Sequence, residues 1–300
     1  MSDIEEILVS FHETRMLVDT KLREYLANRE PLLAMLQESI DYTLFSGGKR
    51  IRPLFCFIVG ELYDIPRSTL LSLGCALEMI HTASLIMDDL PHMDDAKIRR
   101  GKPANHMIYG QDVAALASIG LLTRAYEVVL KDPQLPADKK APIVGELARV
   151  VGIDGMVGGQ FVDLKHANAS MDKSVLEFIH TNKTASLFVA SGTTAAIVAD
   201  ATQEEIEALK GYAMHLGFAF QILDDLLDVL GKVEEVGKSL QSDKANFVTF
   251  YGVEGSKALV QKHTSDAINA AGIFEGKNQK LIALARSEEH TSELQSRFGI

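Results

Sequence analysis

Residues 87–102, MDDLPHMDDAKIRRGK, place four carboxylates within eight positions, directly after a run of apolar helix-forming residues. Asp88 and Asp89 end that run, and Pro91 forces a turn before Asp94 and Asp95. Like charges at this spacing destabilise a helix unless something neutralises them. The segment therefore predicts an apolar helix whose end binds cations.

A second group of aspartates ends another apolar helical run, in residues 218–230, FAFQILDDLLDVL. Two of its members are four residues apart and share a helical face, and the third flanks them. Two solvated acidic helix ends are the alternative, but both groups grow out of apolar stretches, so we expect them to face each other and bind a hard divalent cation. Mg²⁺ takes one or two protein carboxylates and completes its shell with water and substrate phosphates, and the sequence has no twelve-residue EF-hand loop for Ca²⁺. The candidate metal ligands are Asp88, Asp89, Asp94, Asp224, Asp225 and Asp228.

The composition favours a globular protein and excludes some classes of partner. Of the 300 residues, 47% are hydrophobic and 24% are charged, which allows a sizeable core. The net charge is −11, and no basic stripe is present to neutralise a phosphate backbone or an anionic lipid surface. We therefore expect no nucleic-acid partner.

The cellular compartment is predicted from the cysteines and the N-terminus. Cys56 and Cys75 lie in apolar helical surroundings, which indicates buried thiols in a reducing compartment. The first residues show neither the basic nor the apolar region of a secretory signal. The most apolar long window, from Thr184, lacks the run of about 18 apolar residues that a membrane span needs. We expect a cytoplasmic protein without stable membrane insertion.

Helical periodicity dominates the sequence, and alternating strand patterns are nearly absent. The predicted helical stretches are 32–45, 51–62, 67–90, 112–131, 138–166, 173–199, 203–230 and 254–271. Because no linker or composition shift marks a boundary, we predict one all-α domain over residues 1–285, a helical bundle around a deep central cavity. Residues 286–300 are predicted to be a non-native tail, since RSEEHTSELQS matches the conceptual translation of a short-read sequencing adapter.

Basic residues lie beside both acidic groups and after a flexible Gly47-Gly48 pair. The candidate cations are Lys49, Arg52, Arg99, Arg100, Lys183, Lys238 and Lys244. Arginine binds phosphate oxygens in a bidentate manner, and lysine supplies a point charge. An acidic protein with metal sites and a few local cations suits a diphosphate substrate.

These motifs, taken in order, resemble those of the trans-isoprenyl (polyprenyl) diphosphate synthases, in particular the bacterial geranylgeranyl and farnesyl diphosphate synthases, over nearly all of residues 5–285. The matching segments are GGKxxR at 47–52, DDxxxxD at 88–94, RRGKP at 99–103, GGQFVDL at 158–164, KT at 183–184 and FQxxDDxxD at 220–228. The resemblance implies the all-α isoprenoid synthase bundle, a homodimer and three Mg²⁺ ions per active site. It implies the head-to-tail (1'-4) condensation of isopentenyl diphosphate with an allylic diphosphate through Mg-assisted ionisation.

The resemblance also implies roles for single residues. Direct metal ligands would be Asp88, Asp94 and Asp224, with Asp89, Asp225 and Asp228 as direct or outer-sphere partners. The allylic diphosphate would contact Arg99, Lys183 and Lys238, and isopentenyl diphosphate would contact Lys49, Arg52, His81 and Arg100. The carbonyl of Lys183 and the side-chain oxygens of Thr184 and Gln221 would stabilise the allylic cation. Gln160 and Asp163 would lie beside the allylic pocket, and packing roles are the alternative for both. For His81 the alternative is a core histidine without contact to the substrate. The role of Lys244 stays open.

Product length is predicted from the helix that leads into Asp88. The residues on or near its cavity face are Leu77, Ile80, Ala83 and Ser84. At about 1.5 Å per residue, Ala83 lies roughly 7.5 Å below Asp88 along the helix axis. Farnesyl-producing relatives usually carry an aromatic residue at this position, which closes the bottom of the product cavity. Alanine leaves the cavity open at this depth. We therefore predict geranylgeranyl diphosphate as the main product, with farnesyl diphosphate as the alternative.

Three other classes of protein share some of these features. A class I terpene cyclase would carry an Asn-Ser-Glu type of second metal motif, and a non-catalytic partner subunit of a prenyl synthase would lose acidic motif residues. A generic metal-binding helical bundle would not explain the ordered basic residues. The chain also has Ser118, Ile119 and Gly120 where the resembled family usually has Gly-Asp-Ala.

Overall fold

The computed structural model describes residues 3–27, 30–166, 172–236 and 246–289. Within them the chain is almost entirely helical, which confirms the all-α prediction. The α-helices are α1 Asp3–Leu26, α2 Ala34–Leu44, α3 Ile51–Leu62, α4 Leu71–Asp88, α5 Asn105–Tyr109, α6 Gln111–Lys131, α7 Ala137–Val151, α8 Met156–His166, α9 Lys173–Ile179, α10 Ser186–Val198, α11 Gln203–Val236, α12 Phe247–Ala270 and α13 Gln279–Glu289. Two-residue strands, β1 Ile98–Arg99 and β2 Lys102–Pro103, form one antiparallel pair.

Side-chain caps explain where several helices begin. Thr202 and Glu205 form a reciprocal capping box at α11, with Thr202 N–H donating to Glu205 Oε2 over 2.8 Å. Asn246 caps α12 in the same way, accepting from Thr249 N–H over 2.9 Å. The backbone of α12 leaves helical geometry at Gly252, where φ is +67°.

The chain divides into two compact units. The first, called the N-terminal unit, consists of Leu8–Leu147 and Ile197–Ala199. Its core is built on α3, where every residue except Glu61 is buried, and on α4, which packs against α3 and α6. Cys56 and Cys75 are both buried free thiols in this core, as predicted.

The second, called the C-terminal unit, consists of Met1–Ile7, Ala148–Ala196 and Asp200–Ile300. Its core lies between α11 and α12, which pack along each other. The buried residues of this core are Leu176, Phe218, Ile222, Leu226, Val229, Phe247, Val248 and Val260. The hydroxyl of Tyr212 donates to the carbonyl of Leu281 over 2.7 Å and ties α13 to α11.

Some predicted boundaries were wrong. The stretch predicted as one helix over 138–166 is two helices, α7 and α8, separated by a turn at residues 152–155. The predicted stretch 173–199 is interrupted by a π-helical turn, His180–Ala185, which separates α9 from α10. Helix α12 begins at residue 247 and not at 254, because the Asn246 cap starts it early. Helix α13 ends at Glu289, and the assignment of residues 286–300 to a non-native tail stays a prediction.

One helix has the dimensions of a membrane span. Among the residues that the structure describes, only α6 is long and apolar enough to cross a bilayer, and 39% of its most apolar window is buried. Core helices of globular proteins meet the same criterion, so this helix is weak evidence for a membrane span.

Candidate active site

The first aspartate group lies in the N-terminal unit, where α4 ends in a tight loop. The N–H of Asp94 donates to the carbonyl of Asp88 over 2.9 Å, and this bond folds the loop back on the helix end. Asp89 has a side chain that is 1% exposed, and Arg99 Nε donates to its two oxygens over 3.0 and 3.2 Å. Asp88 and Asp94 are half-buried and can therefore be reached by a ligand. The two neighbouring aspartates of the DD pair thus differ in role: Asp88 is a metal-ligand candidate, and Asp89 is the partner of Arg99.

The Gly47–Arg52 segment lies beside Arg100 in the same unit. Arg100 Nη1 donates to the carbonyl of Gly47 over 2.7 Å, and its guanidinium lies flat against Gly48. A Cβ at Gly48 would be 3.1 Å from Arg100 Nη2, and the φ of +117° is one that other residues rarely adopt. Because a neutral carbonyl holds Arg100, its charge is available to an anion. Two motifs about 50 residues apart in the sequence are therefore brought together at one cationic surface; its use as a diphosphate site stays a prediction.

His81 lies next to this surface on α4. Burial lowers the pKa of His81 well below its usual value, and the positive charges of Arg52 and Arg100 lower it further. The imidazole is therefore neutral at physiological pH and can donate one hydrogen bond to a diphosphate oxygen without adding charge. Arg52 is buried at the start of α3, and Lys49 is half-buried in the preceding turn.

Sequence reasoning missed a buried ion-pair network around Arg50. Arg50 Nη1 donates to Glu78 over 2.8 Å, Nε donates to Asp19 over 2.9 Å, and Nη2 donates to the carbonyl of Leu44 over 2.6 Å. The side chains of Arg50 and Glu78 are 1% and 3% exposed. Arg50 has a left-handed backbone (φ 55°) directly before α3, so the network fixes the turn that carries Lys49. The one signal in the sequence was Glu78, an acidic residue in the middle of the largely apolar α4.

The predicted Lys183 lies in the C-terminal unit, in the π-helical turn between α9 and α10. Its Nζ donates to Asp163 Oδ2 on α8 over 2.7 Å. Helix α8 approaches this turn closely, since a Cβ at Gly159 would be 2.5 Å from the backbone N of Lys183. π-Helical turns inside α-helices are frequent at functional sites because they expose backbone groups. The second glycine of the GGQFVDL motif therefore has a packing role that allows this turn.

A hydrogen-bonded chain joins this turn to the second aspartate group. Thr184 Oγ1 donates to Gln221 Oε1 over 3.0 Å, and Gln221 Nε2 donates to Asp225 Oδ1 over 3.0 Å. The other carboxylate oxygen of Asp225 accepts from the N–H of Phe247 over 3.0 Å, at the start of α12. Burial raises the pKa of Asp225, and its two hydrogen bonds oppose the rise. Asp225 is therefore a buried positioning group for Gln221.

Asp224 and Asp228, by contrast, are exposed on α11, four residues apart. Carboxylate oxygens at this spacing match the one or two protein ligands that Mg²⁺ takes. Gln160 on α8 is notable because both polar atoms of its amide are buried without a hydrogen-bond partner among the described residues. Such a group is expected where a polar ligand supplies the missing partner. The donor set of the C-terminal unit thus fits a magnesium-bound anion.

The residues predicted to limit product length lie on α4, as expected from their spacing. Leu77 and Ile80 are fully buried, Ser84 is half-buried, and Ala83 is 3% exposed. The hydroxyl of Ser118 on α6 donates to the carbonyl of Ala83 over 2.7 Å. This bond fixes α6 against the part of α4 that carries Ala83, the residue on which the prediction of product chain length depends. Lys238 and Lys244 lie outside the described residues.

Comparison with known proteins places this helical fold and its motifs in one family. The polyprenyl synthetase family model matches residues 33–282. The chain is 43% identical over 267 residues to "Geranylgeranyl pyrophosphate synthase 3, chloroplastic" of Arabidopsis thaliana, covering 86% of this chain and 74% of the relative. It is 41% identical over 243 residues to the farnesyl diphosphate synthase of Bacillus subtilis (strain 168), covering 79% of this chain and 82% of the relative.

The solved structures agree with the sequence matches. The apo crystal structure of a FPP/GFPP synthase from Zymomonas mobilis superposes with a TM-score of 0.86 at 30% sequence identity, over 95% of this chain and 99% of that one. This all-helical chain, with its two aspartate-rich segments, is a prenyltransferase of the isoprenoid synthase type. The chain belongs to the polyprenyl synthetase family. The family predicted from the ordered motifs is thereby confirmed.

Proposed function

We propose that the chain condenses isopentenyl diphosphate head-to-tail with allylic diphosphates and releases geranylgeranyl diphosphate as its main product. The observation that carries this proposal is the cationic surface around His81, in a chain whose net charge is −11. The charge of Arg50 is neutralised by Glu78 and Asp19, so that residue is structural. Arg100 is held by a backbone carbonyl and keeps its charge for a ligand.

Isopentenyl diphosphate binds at this surface in our proposal. Arg52, Arg100 and Lys49 contact the diphosphate oxygens, because guanidinium and ammonium donors match their charge and geometry. His81 adds a neutral donor, whose low pKa prevents a further buried positive charge. The homoallylic end of this substrate carries no charge, so the site holds it by the diphosphate alone.

The allylic substrate binds through the remaining predicted residues. Arg99 and Lys183 contact its diphosphate, and Lys238 is assigned here by family resemblance. Asp88, Asp94, Asp224 and Asp228 would hold the Mg²⁺ ions, while Asp89 and Asp225 hold Arg99 and Gln221 in place. Bound Mg²⁺ would supply positive charge against the diphosphate oxygens of the leaving group. The three-ion stoichiometry is part of this proposal.

The C-terminal unit stabilises the carbon that loses the diphosphate. The Thr184–Gln221 hydrogen bond orients two side-chain oxygens, and the π-helical turn presents the carbonyl of Lys183. Oxygen dipoles fixed before the reaction stabilise a developing carbocation without reorganisation. The released diphosphate takes the final proton, so the reaction needs no protein side chain as the base.

Geranylgeranyl diphosphate is favoured over farnesyl diphosphate by the small side chain at Ala83. The relatives carry both names, since the Arabidopsis thaliana protein is a geranylgeranyl and the Bacillus subtilis protein a farnesyl synthase. Farnesyl diphosphate is therefore the second candidate. A non-catalytic partner subunit is disfavoured because all six aspartates of the two motifs are present.

We propose a homodimer that uses the exposed face of α6. Leu116 and Ile119, three residues apart, are 58% and 53% exposed, and Met107 and Ile108 before this helix are also exposed. Association of two copies would bury this apolar face, which also explains why α6 has the composition of a membrane span. A cytoplasmic location without membrane insertion remains part of the same proposal.

The direct test is a prenyl transfer assay with radiolabelled isopentenyl diphosphate. Each allylic primer is supplied in turn, with and without Mg²⁺, and the products are dephosphorylated and separated by chain length. We expect Mg²⁺-dependent formation of the geranylgeranyl product, and Asp88→Asn should abolish it. Asp138→Asn, which removes an exposed carboxylate on α7, is the matched control and should have wild-type activity. Absence of product with every primer would refute the enzymatic proposal and favour the partner subunit.

A further inference from the structure

Three potential metal ligands converge in the C-terminal unit at a place that prenyl transfer does not use. His215 on α11 and His263 on α12 face each other, with 3.0 Å between their Nδ1 atoms. Asp266 lies one turn beyond His263 on α12, and one ligand atom from each of the three lies within 4.8 Å of the others. All three side chains are half-buried, so an ion from solution can reach them.

The cluster is separate from the second aspartate group although both lie on α11. His215 precedes Asp224 by nine residues, which is about 13.5 Å along a helix and two and a half turns. The two side chains therefore project from opposite faces of α11. His215 faces α12, as its contact with His263 shows.

The geometry of the two imidazoles is close to that of a tetrahedral metal site. Two nitrogen ligands at about 2.0–2.1 Å from Zn²⁺, separated by a tetrahedral angle, lie roughly 3.3 Å apart. A shift of a few tenths of an ångström converts the observed 3.0 Å into this spacing. His263 is oriented by stacking on the ring of Phe218, with centroids 5.0 Å apart and an interplanar angle of 11°. Because Phe218 belongs to the core, one ligand is already fixed before an ion binds.

The state of the surrounding groups is compatible with metal binding. Burial lowers the pKa of His215, and burial together with His215 and Lys262 lowers the pKa of His263 to about 4. Neutral imidazole is the form that binds metals. Lys262 Nζ forms an ion pair with Asp266 Oδ2 over 2.6 Å, and its side chain is 62% exposed. An exposed pair of this kind contributes little, so a divalent ion can displace the lysine.

We infer that His215, His263 and Asp266 form a site for a transition-metal dication of the Zn²⁺ class, which cross-links α11 to α12. Two imidazoles and one carboxylate suit Zn²⁺, Co²⁺ or Ni²⁺ and not Mg²⁺, which prefers oxygen ligands. The fourth position would hold water, since the described residues supply three ligands. The role is structural: the ion would fasten the two helices that form the core of the C-terminal unit. This inference does not depend on the proposed prenyl transfer.

The test is a metal titration of the full-length protein after removal of metals with a chelator. Zn²⁺ is titrated calorimetrically in excess Mg²⁺, which competes for sites made only of oxygen ligands, and Co²⁺ is followed by its visible absorption. We expect one Zn²⁺ per chain, a tetrahedral Co²⁺ spectrum and a rise in melting temperature with Zn²⁺. His215→Gln and Asp266→Asn should each lower the Zn²⁺ affinity by about 100-fold or more and remove the thermal shift.

His12→Gln is the matched control, because it removes an exposed histidine of α1 and should bind Zn²⁺ as the wild type does. If the wild-type protein binds no Zn²⁺ in the presence of excess Mg²⁺, the histidines form only a hydrogen-bonded pair and the inference is wrong. Equal Zn²⁺ binding by wild type and both site variants would also refute it. Circular dichroism of each variant without metal establishes that it is folded, and two variants from different helices prevent a single misfolded protein from deciding the result. The prenyl transfer assay in Mg²⁺ is run on the same samples, so failure of that activity is recognised independently.

Discussion

Replacing Glu78 by glutamine would leave the buried Arg50 without its nearest full charge partner. The two side chains are 3% and 1% exposed and 2.8 Å apart, and Arg50 also contacts Asp19, which is 23% exposed. Loss of one partner from a buried ion pair costs about 3–5 kcal/mol. Because Asp19 still binds Arg50 in the variant, we expect the lower end, about 3 kcal/mol.

This loss should be visible in both stability and substrate binding. One kcal/mol corresponds to about 2–4 °C in a domain of 150–250 residues, so the melting temperature should fall by about 6–12 °C. Arg50 also holds the carbonyl of Leu44 and begins α3, so the turn carrying Lys49 becomes less ordered in the variant. We therefore expect the KM for isopentenyl diphosphate to rise by about 10-fold, or 1.4 kcal/mol, with kcat nearly unchanged.

Thermal unfolding followed by circular dichroism and steady-state kinetics with varied isopentenyl diphosphate measure these effects. Glu127→Gln is the control, since it removes the exposed pairs with Arg124 and Lys131 and should leave both quantities unchanged. A Glu78→Gln protein with the wild-type melting temperature and the wild-type KM would refute the reasoning. A rise in the KM for the allylic substrate of the same size would show that the network does not act on the Lys49 turn specifically.

Three further changes test the site. Ala83→Phe should shift the main product from geranylgeranyl to farnesyl diphosphate, because an aromatic ring closes the position beside the Ser118 bond; chain-length analysis of the products measures this. Ile119→Arg should convert the proposed dimer into monomers, because it places charge on the exposed apolar face of α6; light scattering measures the mass. His81→Gln should flatten the dependence of stability on pH below about 6.5, measured by denaturant unfolding at several pH values.

The sign of the pH effect follows from the direction of the pKa shift. Burial and the nearby arginines lower the pKa of His81, so the folded protein binds fewer protons than the unfolded chain as the pH falls. The contribution of His81 is therefore complete above its unfolded pKa of about 6.5, and it is lost as the pH drops towards the folded pKa. His180 and His263, whose pKa values are lowered to about 4, add the same slope to both proteins. Only the difference between wild type and variant reports on His81.

Each of these predictions has an outcome that contradicts it. An unchanged product from Ala83→Phe would mean that residue 83 does not face the growing chain. A dimeric Ile119→Arg protein would place the interface elsewhere, and Val157→Arg, which adds charge at an exposed position on α8, is the control for a general effect of charge. Parallel pH curves for wild type and His81→Gln would mean that His81 can be protonated in the folded state without cost.

The helices with strong periodicity were predictable from the sequence. The stretches predicted at 51–62 and 112–131 correspond to α3 and α6 with boundaries that differ by at most one residue. The break between α7 and α8 was missed although Gly152 and Gly155, residues that commonly end helices, lie in the turn. The π-helical turn could not be predicted, because it depends on packing of its backbone against Gly159 of another helix.

The residue types of the site were predictable from the sequence. Which of these side chains can reach a ligand, and which are occupied by a neighbouring residue, was not predictable. Asp88 and Asp89 are adjacent and chemically identical, and no local pattern separates them. What separates them is Arg99, which reaches back ten positions and occupies both oxygens of Asp89. In the first motif Asp88 is therefore a metal-ligand candidate, whereas Asp89 anchors Arg99, the arginine that we propose contacts the allylic diphosphate.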